Sequence, residues 1–168
     1  MADLSVNYMG LSLKNPLIVA SSKLTSDIEK VKACEEAGAS AVVLKSLFEE
    51  QIVSDSGKMT ENLDPTVHAE AWDYSRVMSE EYMLDGYLKL VQEARKELSI
   101  PVIASLNCIS AGKWIDYAER FEQVGADALE LNVFVIPADE RRNGREMENV
   151  YTTILERIKE KVSIPVAM

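Results

Sequence analysis

The chain has 168 residues, a net charge of −10, and apolar and charged fractions of 47% and 27%. That balance is the one expected of a soluble globular domain. It excludes a general nucleic-acid binder, which needs a positive surface, and a membrane span, which needs a run of about 18 apolar residues. The two cysteines, Cys34 and Cys108, and the single histidine, His68, leave no disulfide framework or zinc site, so no metal is expected. The N-terminus has neither a basic start nor an apolar run, so the reading is cytoplasmic, without a leader.

In chain order, Leu4–Met9 and Leu11–Leu13 flank Gly10 and read as a hairpin within residues 1–15. Pro16–Ser21 is the first predicted strand and Ser26–Ala37 the first helix. Ala41–Ser46 is the second strand, followed by a long excursion to about Ser79. Glu80–Leu98 is a helix with apolar residues at Met83, Leu84, Tyr87, Leu88 and Val91. Pro101–Leu106, Lys113–Val124, Ala128–Val133 and Gly144–Lys161 continue the alternation, and Ile164–Met168 is a fifth strand.

Two internal echoes support this order. Glu36-Ala37-Gly38-Ala39-Ser40-Ala41 is matched by Gln123-Val124-Gly125-Ala126-Asp127-Ala128, each a helix ending at glycine before a buried strand. Leu98-Ser99-Ile100-Pro101-Val102 is matched by Val162-Ser163-Ile164-Pro165-Val166, each with proline opening a strand. Short, continuously apolar strands alternating with helices imply a parallel sheet buried on both faces. An open doubly wound sheet and a closed (β/α)₈ TIM barrel both satisfy that. Ala20-Ser21-Ser22-Lys23 is no glycine-rich dinucleotide turn, and the paired repeat favours the barrel. A full barrel takes roughly 250 residues, so 1–168 reads as a single incomplete domain. It holds about the first four βα units, the start of the fifth strand and the N-terminal hairpin.

In such barrels the chemistry sits at the C-terminal ends of the strands. Those ends are Ala20-Ser21-Ser22, Lys45-Ser46, Asn107-Cys108 and Asn132. Ser21 and Ser22 also suit a helix-capping turn, and Asn107 and Asn132 could satisfy loop backbone. Lys45 is the most informative, because a lysine closing a buried strand is rarely structural unless paired. It can supply a fixed positive charge or a nucleophilic amine. His68 reads as a loop residue and Cys34 as packing; Cys108, at the active-site end, reads as packing with a reactive role as the alternative, and Arg141, Arg142 and Arg145 read equally as contacts for an anion or as a solvated helix entry.

With these residues in place, the chain resembles the class 1 dihydroorotate dehydrogenase family, in its dihydroorotate dehydrogenase-like branch. The resemblance is carried by Tyr8-Met9-Gly10-Leu11 through Ala20-Ser21-Ser22, by Gly38-Ala39-Ser40-Ala41 through Lys45-Ser46, by Ile103-Ala104-Ser105-Leu106-Asn107, and by Gly125-Ala126-Asp127-Ala128-Leu129-Glu130-Leu131-Asn132. It implies the N-terminal half of an FMN oxidoreductase acting on a CH–CH donor, dihydroorotate in pyrimidine biosynthesis or a related substrate, and inactive as a fragment. It places FMN against Ala20, Ser21, Lys45, Ser46, Asn107 and Asn132, with Lys45 and Asn132 catalytic. Two family features are not recognisable. The Asn-Leu-Ser-Cys-Pro-Asn type segment that holds the base reads Asn132-Val133-Phe134-Val135-Ile136-Pro137, and no substrate loop is visible between Trp72 and Tyr87. The partners expected are a small-molecule substrate and either a second copy or a missing C-terminal half, with no nucleic acid and no membrane. The alternatives are a flavin-free lyase or aldolase using Lys45, and a non-catalytic half-barrel completed by a partner.

Overall fold

The computed structural model describes residues 2–60 and 69–168; His68 lies outside them. The predicted hairpin is present: β1 (Val6–Tyr8) pairs antiparallel with β2 (Leu11–Leu13) in the register Val6↔Leu13 and Tyr8↔Leu11. Both turn residues, Met9 (φ 55°) and Gly10 (φ 80°), are left-handed. That is the backbone of a tight two-residue hairpin, whose twist matches the twist of the strands.

The main sheet is parallel throughout. Its strands are β3 (Ile18–Val19), β4 (Ala41–Val43), β5 (Leu47–Phe48), β6 (Val102–Asn107), β7 (Ala128–Leu131) and β8 (Val166–Ala167). The order is β3-β4-β6-β7-β8, with β5 also on β6. The helices are α1 (Ile28–Glu36), α2 (Glu49–Thr60), α3 (Ala69–Glu97), α4 (Ala111–Gln123) and α5 (Gly144–Lys159). The α/β alternation with a parallel sheet is thus as expected, while the described residues form an open sheet and no closed barrel.

Strand periodicity divides the apolar residues between two faces. Val42, Leu44, Val102, Ala104, Leu106, Leu129 and Leu131 join the helix residues Val91, Tyr117, Phe121 and Ile158 in the larger core. The intervening Ala41, Val43, Ile103 and Ala128 pack instead with Leu13 of the hairpin, and Leu13 is only 3% exposed. The hairpin therefore covers the beginning of the inner face and leaves its far end to polar residues.

The sequence echoes acquire a physical cause. Gly38 (φ 102°) and Gly125 (φ 95°) both adopt the left-handed geometry that ends α1 and α4. Glu35, near the end of α1, accepts hydrogen bonds from the Ser99 N–H (2.9 Å) and hydroxyl (2.5 Å). Glu122, near the end of α4, does the same for Ser163 (2.7 and 2.6 Å) and also takes the Ile164 N–H (3.1 Å). Each Ser-Ile-Pro entry to a strand is thus held by a carboxylate from an earlier helix.

Several boundaries differ from the sequence reading. Ser22 caps a 3₁₀ turn, Lys23–Thr25, and Asp27 caps α1, so the first helix starts at Ile28 rather than Ser26. The excursion after the second strand contains α2 and the start of α3, which reaches back to Ala69 rather than Glu80. The second strand, expected to run unbroken from Ala41 to Ser46, is interrupted between β4 and β5.

Candidate active site

That interruption shapes the site. Val43 pairs with Ile103 and Leu47 with Leu106, so four steps on the second strand oppose three on β6. One extra residue is a β-bulge, a device that re-aims side chains and is common beside active sites. The Leu44 N–H still reaches the Ile103 carbonyl (2.9 Å). The next two amides leave the sheet: the Lys45 N–H donates to the Thr25 carbonyl (3.0 Å) and the Ser46 N–H to Ser21 Oγ (2.8 Å). The 3₁₀ turn supplies the first of these acceptors, with Thr25 itself fully buried.

Side-chain hydroxyls continue the connection across three strands. Ser21 Oγ lies 3.0 Å from Ser46 Oγ, which lies 2.7 Å from Ser105 Oγ. Ser105 is buried within β6. At the next pair of strand ends, Asn107 Nδ2 donates to the Asn132 carbonyl (2.6 Å), and the Asn132 N–H returns to the Leu106 carbonyl (2.9 Å). The ends of all four strands are therefore tied laterally by polar groups.

These groups border an open cleft of about 430 Å³ lined by Ala20, Ser21, Ser22, Lys23, Lys45, Ser46, Phe48, Glu130 and Asn132. Five of the six residues singled out from the sequence thus meet at one place. The sixth, Asn107, lies in an adjoining recess with Phe48, Glu50, Asn132 and Phe134. Lys45 also borders a second cavity of about 520 Å³ between α1, α2 and α3. Its amine has no ion pair among the described residues.

Two further residues belong to this arrangement. Glu130 is half-buried in the cleft, and burial raises its carboxyl above the ordinary range. Strand alternation could have found it, since it lies two residues before Asn132 and shares its face. Ser105 stands in the same relation to Asn107. The other candidates fall away from the cleft. Arg141 pairs with Asp139 (2.9 Å) in solvent, and Arg142 and Arg145 are exposed. Cys108 is buried, and burial, with the nearby Glu49 charge, pushes its thiol far up, in the direction that favours the protonated form. No helix among the described residues is long and apolar enough to cross a membrane, and no group of three or more potential metal ligands occurs among them.

Fold and site together define a parallel βα layer with a polar, amine-bearing cleft at the C-terminal edge of its strands. No family model matches the chain. In sequence it is similar to the dihydroorotate dehydrogenase B (NAD(+)) catalytic subunit of Thermoplasma acidophilum, 28% identical over 170 residues, covering 99% of this chain and 53% of the relative. The Pyrococcus abyssi protein of the same name is 31% identical over 166 residues, covering 97% of this chain and 52% of the relative. The chain spans about half the length of these curated relatives and is related to dihydroorotate dehydrogenases across nearly its whole length, as its strand-end motifs imply. In structure it is similar to the dihydrodipicolinate synthase DapA-2 of Bacillus anthracis, with a TM-score of 0.52, 17% identity, and 89% of this chain and 44% of that chain covered. The pyruvate complex of the Acinetobacter baumannii dihydrodipicolinate synthase gives 0.50, 19%, 89% and 43%. At such identities the likeness speaks for the fold alone.

Proposed function

We propose that this chain is the first half of a (β/α)₈ barrel and a single domain unit of an FMN-dependent oxidoreductase of the dihydroorotate dehydrogenase type. The observation that carries the reading is the cleft itself. Ala20, Ser21, Lys45, Ser46 and Asn132 line one open space at the strand ends, with Asn107 tied to Asn132 beside it.

The cleft suits the ring end of a flavin. The small residues Ala20 and Ser21 let a flat ring approach the first strand, and Phe48 offers an apolar wall. Lys45 supplies a fixed cation for an electron-rich ring edge, and Asn107 and Asn132 supply amides for its carbonyl and N–H groups. Bound there, the flavin would supply two-electron chemistry on a CH–CH donor. Lys45 and Asn132 are the residues assigned to orient the reacting substrate. The base of authentic dihydroorotate dehydrogenases has no counterpart in Val133–Pro137, so the substrate is assigned only as a small CH–CH donor of that type. For the ligand's phosphate, the cations lining the cleft are Lys23 and Lys45. Binding by these residues alone is accordingly expected to be weak, and turnover absent.

The test is a flavin absorbance spectrum of this chain and of the gene product extended to the length of its relatives. A band near roughly 450 nm in the extended protein, as for any oxidised flavin, supports the reading, and Lys45→Ala in that protein is expected to abolish most turnover with the fold retained. A colourless extended protein overturns it. The lyase alternative has its own support in the Lys45 amine, which has no ion pair among the described residues. Borohydride reduction in the presence of pyruvate would then leave a covalent adduct on Lys45.

A further inference from the structure

The bulge leaves a gap in the sheet, and a single side chain fills it. Were the second strand regular, the Ser105 N–H would donate to the Leu44 carbonyl, and the Ser105 carbonyl would receive an amide from the second strand. Both Ser105 groups turn instead to Tyr87 of α3. The Ser105 N–H donates to the Tyr87 hydroxyl (3.0 Å), which donates in turn to the Ser105 carbonyl (3.1 Å). One phenol thus stands in for the missing strand partner as both acceptor and donor. Its ring is wedged in the larger core, 4.9 Å from the Phe121 ring centroid. Burial keeps the phenol protonated, as the donor role requires.

We propose that Tyr87 is a positioning residue: its hydroxyl holds the gap in the sheet open, keeping Lys45 and Ser46 out of the strand and at the rim of the cleft. Without the hydroxyl, the buried Ser105 N–H and carbonyl lose their partners, and unpaired buried groups of this kind are costly. The second strand is the nearest source of replacements. Recruiting it draws Lys45 and Ser46 away from Thr25 and Ser21. The role rests on the reading that Lys45 serves the ligand in the cleft, since a device that shapes the bulge matters to function only through that lysine.

The test is amide hydrogen exchange in the 168-residue chain, read as the ratio of the Lys45 rate, whose amide loses the Thr25 carbonyl, to those of Val42 and Leu44 in the same strand. In Tyr87→Phe this ratio is expected to rise roughly tenfold or more, within the range set by one to two unpaired buried groups. Leu84→Ala, which removes a buried side chain from the same helix, is the control and is expected to leave the ratio unchanged. An unchanged ratio in Tyr87→Phe, or an equal rise in both variants, overturns the proposal. In parallel, FMN alone is titrated by fluorescence quenching against the protein extended to the length of its relatives, as wild type, Lys45→Ala and Tyr87→Phe. Comparable weakening in both variants supports the functional link, and weakening in Lys45→Ala only overturns it. If no form binds FMN, the flavin reading falls, and the exchange ratio alone decides whether Tyr87 positions the bulge.

Discussion

Replacing Glu49 tests how this fold holds the first turn of α4 beside the site. Glu49 is 8% exposed. Its Oε2 accepts the N–H groups of Ile109 (2.6 Å) and Ser110 (3.0 Å), and its Oε1 accepts the Ser110 hydroxyl. Ser110 occupies the cap position of α4 but makes no capping bond of its own, and Glu49, the first residue of α2, instead holds Ile109 and Ser110, the two residues that lead into the helix. Charge-assisted bonds of this kind are worth about 1.5–3 kcal/mol. Ile109 and Ser110 are exposed, however, so water can replace part of what is lost. The expected cost of Glu49→Ala is therefore about 1–2 kcal/mol, the scale of a lost helix cap. For a chain of this size that is a fall of about 2–8 °C in Tm.

The pH dependence gives an independent check on the same group. Burial raises the Glu49 carboxyl, but the Ser110 hydroxyl, the two N–H groups and the nearby Lys113 charge outweigh it and hold the group below its ordinary value of 4.5. A depressed carboxyl contributes stability that is fully present above its unfolded value and is lost as pH falls through the folded one. Urea melts of the wild type and Glu49→Gln, taken from about pH 7 to about pH 3, should therefore converge at the acid end. A Glu49→Ala variant within about 0.5 kcal/mol of wild type, or parallel pH profiles, would refute the reasoning.

Three further outcomes follow from the structure, beside the loss of turnover expected of Lys45→Ala. Glu130 has the opposite sign to Glu49. Burial raises its carboxyl, so the charged form costs stability above the folded value and the cost disappears below the unfolded one. Glu130→Gln should therefore stabilise the chain near neutral pH and have no effect near pH 3 (roughly, below both values), measured by the same melts. Leu13→Ala removes the side chain that joins the hairpin to Ala41, Val43, Ile103 and Ala128, and should cost about 2–4 kcal/mol; a loss under about 1 kcal/mol would mean that the hairpin is not part of the core. Cys108 should resist thiol reagents at neutral pH in the folded chain and react on unfolding, and rapid labelling of the native protein would contradict its burial.

The order of strands and helices was legible in the residues because each element is set by local causes. Gly38 and Gly125 end helices where the backbone turns left-handed, and continuous apolar runs mark β4, β6 and β7 as buried on both faces. The placement of Ser21, Lys45, Ser46, Asn107 and Asn132 at strand ends was legible for a related reason. A polar side chain directly after an apolar strand has only the edge of the sheet to occupy. What the sequence could not show was the bulge, because nothing in Val43-Leu44-Lys45-Ser46-Leu47 says which amide will leave the sheet. That outcome depends on a comparison between partners distant in the chain. Thr25 and Ser21 offer acceptors on one side, Tyr87 closes the gap on the other, and Ser105 joins the two. Local preference can place a strand, but only the packed structure decides where its hydrogen bonds go.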